Sequence, residues 1–85
     1  MKIKKQKLPK WFNGDIYEKG ETVINRFTGE EYELNNIELS MYDLIMGATI
    51  LIEMNMITDK ILDDHRKGLN WFRKYNPEAY MILLD

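Results

Sequence analysis

Residues 44–54 carry Leu44, Ile45, Met46, Ala48, Ile50, Leu51, Ile52 and Met54, positions that encircle a helix rather than line one side of it. A helix that is apolar all round has to be covered over most of its circumference. The chain has 85 residues, so few other elements exist to do the covering. The start of this helix is marked. Asn35 suits an N-cap, and Glu38 three residues on can reach back to the Asn35 backbone in a capping box. Leu34 and Leu39 are placed to close a hydrophobic staple. The spacing predicts a helix over about 36–55. Its apolar run Leu44–Ile52 is too short to span a bilayer, which takes about 20 residues. No membrane partner is expected.

The elements available to cover it follow from local pattern. Residues 21–34 (ETVINRFTGEEYEL) hold two β-prone runs punctuated by Thr28-Gly29, a hairpin signature. A three-residue loop Phe27-Thr28-Gly29 with Gly29 left-handed sets Ile24 opposite Tyr32 and Thr22 opposite Leu34, so Ile24, Tyr32 and Leu34 share one face. A two-residue loop is the alternative and changes the pairing. Asn13-Gly14 reads as a turn that tolerates positive φ. A second helix is expected over 59–75, capped by Thr58 or Asp59, with Ile61, Leu62, His65, Leu69 and Phe72 on a 3.6-residue period. Its acids come early and its bases late, which complements the helix dipole. Asn76-Pro77-Glu78 restarts a helix over about 77–84. The fold class is α+β: an N-terminal β-hairpin packed on two main α-helices plus a short C-terminal helix. The organisation is a basic arm over 1–10 and a single domain over 11–85.

Composition excludes several kinds of chemistry. There is no cysteine, which removes disulfides, thiolate catalysis and Cys-based zinc sites and suits a reducing, cytoplasmic compartment. The basic start has no apolar stretch after it of the kind a secretory signal needs. Hydrophobic residues make up 45%, enough to offset chain entropy and argue against disorder. No Gly-rich nucleotide loop, zinc spacing, calcium loop or nucleophile motif occurs, and Ser40 is the only serine. No cofactor is implied, and the chain is not expected to be an enzyme.

Three features remain as candidate sites. His65, the only histidine, lies on the apolar stripe of the second helix. A general base or metal ligand is one reading. A partly buried structural histidine, hydrogen-bonded to a neighbour, is the other and the stronger, because Asp63 and Asp64 do not share its helix face. Glu31 and Glu33 share a hairpin face, but nothing suggests the burial that would turn a carboxylate pair to acid–base work. The second feature is charge. Lys2, Lys4, Lys5, Lys7 and Lys10 fall in the first ten residues with no acid among them, while the remainder holds 7 basic against 14 acidic groups. With Trp11 alongside, this arm is a candidate contact for nucleic acid, and otherwise a solubilising terminus. The third feature is the helix itself. Met46, Gly47, Ile50, Met54 and, in the C-terminal segment, Met81 form a candidate interface with a second copy or another protein. The leading expectation is a non-enzymatic, self-associating or protein-binding module; the alternative is a nucleic-acid-binding accessory protein.

The run Asn25-Arg26-Phe27-Thr28-Gly29-Glu30, the stretch Met41-Tyr42-Asp43-Leu44-Ile45-Met46-Gly47-Ala48 and the ending Asn76-Pro77-Glu78-Ala79-Tyr80 through Asp85 resemble small proteins encoded by tailed, notably marine, bacteriophages. The similarity covers about residues 22–85. That family brings no assigned activity and therefore no site residues. The resemblance implies a viral accessory role in the host cytoplasm, or a minor part of a virion.

Overall fold

The computed structural model describes residues 6–85, so Lys2, Lys4 and Lys5 lie outside the described residues. The described chain forms a two-stranded antiparallel sheet, β1 (Glu21–Ile24) and β2 (Glu31–Leu34), followed by α1 (Asn36–Glu53) and α2 (Asp59–Tyr75). A short C-terminal helix, α3 (Pro77–Ala79), continues as a π-helical segment over Tyr80–Leu84. This is the α+β arrangement expected from the pattern. No helix among the described residues is long and apolar enough to cross a membrane.

α1 begins as its sequence dictates. The Asn35 side chain accepts from the Glu38 N–H at 2.8 Å, and Glu38 Oε1 accepts from the Asn35 N–H at 3.0 Å. The helix stops two residues earlier than the pattern suggested. Asn55 takes a left-handed φ of 63°. Its N–H bonds to Ile52 O at 3.0 Å, and the Met56 N–H bonds to Leu51 O at 2.9 Å. This pair of bonds is a Schellman closure with asparagine in the place glycine usually takes. α2 is capped by Thr58, whose hydroxyl accepts from the Ile61 N–H. Asn76 caps α3 through the Ala79 N–H, with Pro77 in the first turn.

The hairpin register differs by one residue from the expected one. Val23 pairs with Tyr32 and Ile24 with Glu31. Val23, Tyr32 and Leu34 therefore face the core, and Ile24 is 56% exposed. A one-residue slip exchanges the faces of a strand. The cause is Asn25, whose Oδ1 accepts from the Phe27 and Thr28 N–H groups. That local turn, with Gly29 N–H bonded to Asn25 O, makes a four-residue loop Arg26–Gly29. Gly29 does adopt positive φ, at 80°. At the N-terminal end the turn is also displaced: the Phe12 N–H bonds to Pro9 O at 3.1 Å, and Gly14 has no positive φ.

The core lies where α1 and α2 meet β2 and the C-terminal segment: Leu34, Met41, Ile45, Trp71, Phe72, Ala79 and Leu83. Trp11 and Phe12 pack against it, half-buried. Helices α1 and α2 approach closely at Gly68, where a β-carbon would fall 2.5 Å from Ile45 Cγ1. Gly47 is the opposite case, with open space around its missing β-carbon.

Beneath this core Glu38, 4% exposed, is a junction. Besides the Asn35 N–H, it accepts from Gln6 Nε2 at 2.8 Å and from Asn76 Nδ2 at 2.7 Å. One carboxylate thus fastens the incoming chain, the start of α1 and the cap of α3. Glu38→Ala strands these buried donors and is expected to destabilise the fold by about 2–3 kcal/mol in urea denaturation followed by circular dichroism. Gly68→Ala should cost about 1–3 kcal/mol through overpacking against Ile45. Gly47→Ala, at an open helical position, should instead raise monomer stability by about 0.5–1 kcal/mol.

Candidate functional site

Three faces of α1 are occupied differently. Met41, Ile45 and Ala48 are buried. Ser40, fully buried, donates to Asn36 O and accepts from the Tyr17 N–H, which pins the N-terminal segment against the helix. The single serine is therefore a strut. On the hairpin side, Arg26 approaches Glu53 at 3.9 Å, and Tyr42 is half-buried. Burial raises the Tyr42 phenol above its ordinary value, with Arg26 opposing.

The remaining strip is open. Asp43, Gly47, Ile50 and Met54 recur at helical spacing, and all four are exposed, Ile50 at 49% and Met54 at 61%. Met46 beside them is half-buried. Met46, Gly47, Ile50 and Met54 are four of the five residues singled out above for an interface; Asp43 was not among them. Met81 is also exposed, at 68%, but it belongs to the C-terminal segment, which packs on α2 and β2. Past the end of α1, Met56, Ile57 and Leu62 are exposed as well. Leu62 is expected on the covered stripe of α2 but turns toward solvent, 46% exposed, because α1 reaches only the other side of that turn; Ile57 carried no expected role.

Next to the open strip lies a groove of about 430 Å³ between residues 13–15, α1 and the start of α2. Leu44, Ala48, Leu51 and Ile61 give it an apolar floor, Gly47 leaves one wall low, and Asp15, Asp43 and Asp64 stand among its lining. Asp64 accepts from Lys60 Nζ at 2.8 Å and Asn13 Nδ2 at 3.2 Å. Burial opposes ionisation of Asp64, but these two donors outweigh it and hold the carboxyl below its ordinary 3.8.

A second groove, of about 300 Å³, runs where the N-terminal segment crosses α2. It brings Lys7 and Trp11 against Lys67, Trp71, Lys74 and Tyr75. The α2 residues share a face by their 3- and 4-residue spacing. Trp71 Nε1 donates to Lys7 O at 3.2 Å, which fixes where the basic segment leaves the body. Lys10 is exposed but is not part of this lining.

The His65 side chain is half-buried, lines neither groove and makes no hydrogen bond among the described residues, so the expected bond to a neighbour is absent. Among the described residues no group of three or more His, Asp or Glu side chains is placed to hold a metal ion. Glu31 and Glu33 are exposed on β2.

Compared with protein-family models, curated proteins and solved structures, the chain matches none. The reading of its function therefore rests on its own surfaces.

The Asp64 contacts carry a pH dependence of stability. A carboxyl whose folded-state pKa is lowered adds stability above its ordinary value, and that stability is lost as pH falls through the lowered folded-state value. Lys60 is largely exposed, so the contribution at pH 7 is about 0.5–1 kcal/mol. Asp64→Asn should be destabilised by that amount in urea at pH 7. The difference from the parent should shrink as pH drops below 3.8.

Proposed function

We propose that this chain is a non-enzymatic interaction module that associates with a second copy of itself through the open strip of α1. The observation that carries the reading is the exposed run Gly47, Ile50 and Met54 beside the apolar-floored groove. Glycine inside a helix costs about 1 kcal/mol relative to alanine. At Gly68 the close α1–α2 approach explains that cost; at Gly47 nothing in the monomer does. A neighbouring helix lying against Gly47 would. Ridge and groove sit side by side on one helix, so a two-fold axis sets the Ile50 ridge of each copy into the groove of the other. Such a surface is self-complementary, as an isologous interface requires.

The magnitudes describe a weak complex. Burying the exposed parts of Ile50, Met54, Met56, Ile57 and Leu62 contributes about 1 kcal/mol each, about 10 kcal/mol over two copies. Association costs roughly 4–15 kcal/mol. Self-association is therefore concentration-dependent, and, being apolar, insensitive to salt. The resemblance to small bacteriophage proteins gives this module a setting as a viral accessory protein in the host cytoplasm or a minor virion component.

Light scattering behind a sizing column, at several protein concentrations and at low and high salt, tests the reading. A dimer that grows with concentration and survives high salt is expected. Ile50→Glu should return it to monomer while circular dichroism stays unchanged. A monomer at every concentration, or an Ile50→Glu dimer as tight as the parent, would sink the proposal.

A further inference from the structure

The second groove differs in character from the α1 strip. Its lining holds three lysines, Lys7, Lys67 and Lys74, and no acidic side chain. The body of the chain is otherwise acid-rich, so this is a local reversal of sign. The same groove holds both tryptophans of the chain, together with Tyr75. Lys67 Nζ stands 5.5 Å from the centre of the Trp11 ring, and Lys74 Nζ 5.1 Å from that of Tyr75. Trp71 is buried and stacks at a tilt on Tyr75, with centroids 5.0 Å apart. It thereby backs the half-buried Tyr75 ring. Asn70 adds an amide to the lining.

We infer that this groove binds single-stranded nucleic acid. Ammonium groups beside aromatic faces are the combination that tracks a phosphate backbone while stacking its unpaired bases. Duplex bases are already stacked on one another and cannot use the rings. The groove is small, with room for one splayed base and its sugar, and lysines on either side reach the flanking phosphates. One acid engages the site from its margin: Asp63 pairs with Lys67 at 3.0 Å and with Arg66. The Lys67 hydrogen bond is the main cause that holds the Asp63 carboxyl below the usual carboxylate range. Both partners are partly exposed, so an incoming phosphate can replace the carboxylate at small cost. The inference differs from binding by the basic N-terminal run alone. It assigns binding to the α2 residues Lys67, Trp71, Lys74 and Tyr75 together with Lys7 and Trp11.

Because both tryptophans line the groove, their fluorescence reports it directly. Titration of the full chain with an oligothymidylate of about ten nucleotides should quench it. Affinity should fall with salt, with a log–log slope of about −2 for three phosphate contacts. Lys67→Ala/Lys74→Ala should reduce that slope by about 1.4 and weaken binding at least several-fold. Tyr75→Leu should weaken it about tenfold, with circular dichroism confirming that each variant is folded. Polyglutamate, anionic phospholipid vesicles and duplex of equal length are expected to bind more weakly than the single strand. Equal binding of polyglutamate or vesicles overturns the proposal in favour of an acidic peptide or a lipid surface. It is also overturned if nothing quenches. The same holds if deleting residues 1–5 abolishes binding while the double lysine variant keeps it.

Discussion

The incoming chain, the start of α1 and the cap of α3 meet at one buried carboxylate. Among the described residues Glu38 has no cation against it; its acceptors are filled by neutral donors, the Asn35 N–H, the Gln6 amide and the Asn76 amide. Hydrogen bonds to an ionised acceptor are stronger than neutral ones, and a buried charge is tolerated when its lone pairs are filled. The N-terminus of α1 adds a favourable dipole at the same place. Through Asn76 the carboxylate reaches Tyr32, whose hydroxyl lies 3.3 Å from Asn76 Oδ1 and 3.1 Å from Glu78 Oε1. Burial raises the Tyr32 phenol above its ordinary value; the Asn76 bond opposes this and Glu78 reinforces it. A polar seam thus joins β2, α1, α3 and the incoming chain under the apolar core.

Much of this was legible in advance where a local rule and a tertiary need coincide. The capping box at Asn35 and Glu38 is a four-residue pattern, and the structure uses it as read. The Asn76-Pro77 restart is equally local. The hairpin was recognisable, but its register was decided by Asn25, a residue whose side chain can satisfy backbone donors in more than one turn. Its Nδ2 also bonds to Ile82 O, far away in sequence. A loop chosen by such a contact cannot be read from the loop alone. The apolar pattern alone carries the helix through Asn55, although asparagine is among the few residues that accept a left-handed closure.

The surfaces were harder to read for a similar reason. Which face of an all-round apolar helix remains bare depends on where its neighbours stop. Met46, Gly47, Ile50 and Met54 could be proposed from composition, but only the packing separates Gly47 from Gly68. The lysine–aromatic groove escaped the sequence reading because its parts are some 60 residues apart. By sequence Lys67 and Lys74 belong to the basic end of α2, far from the basic N-terminal run. The bond from Trp71 to Lys7 O brings them together.

Glu38 also has a meaning for how the chain comes into being. Its donors lie at residues 6, 35 and 76, so the junction closes only when the C-terminal segment is present. Until then α1 can cap itself, since Asn35 and Glu38 are neighbours, but Phe72 and Leu83 have not taken their places beside Ile45. A nascent chain on the ribosome, lengthening from its N-terminus, therefore holds a capped, largely apolar helix covered only by the hairpin and the N-terminal segment until α2 emerges. The junction and the core, which includes Ala79 and Leu83, are completed only after translation has passed residue 83. The interval before that moment is when this sequence is most exposed to chaperones, proteases and aggregation.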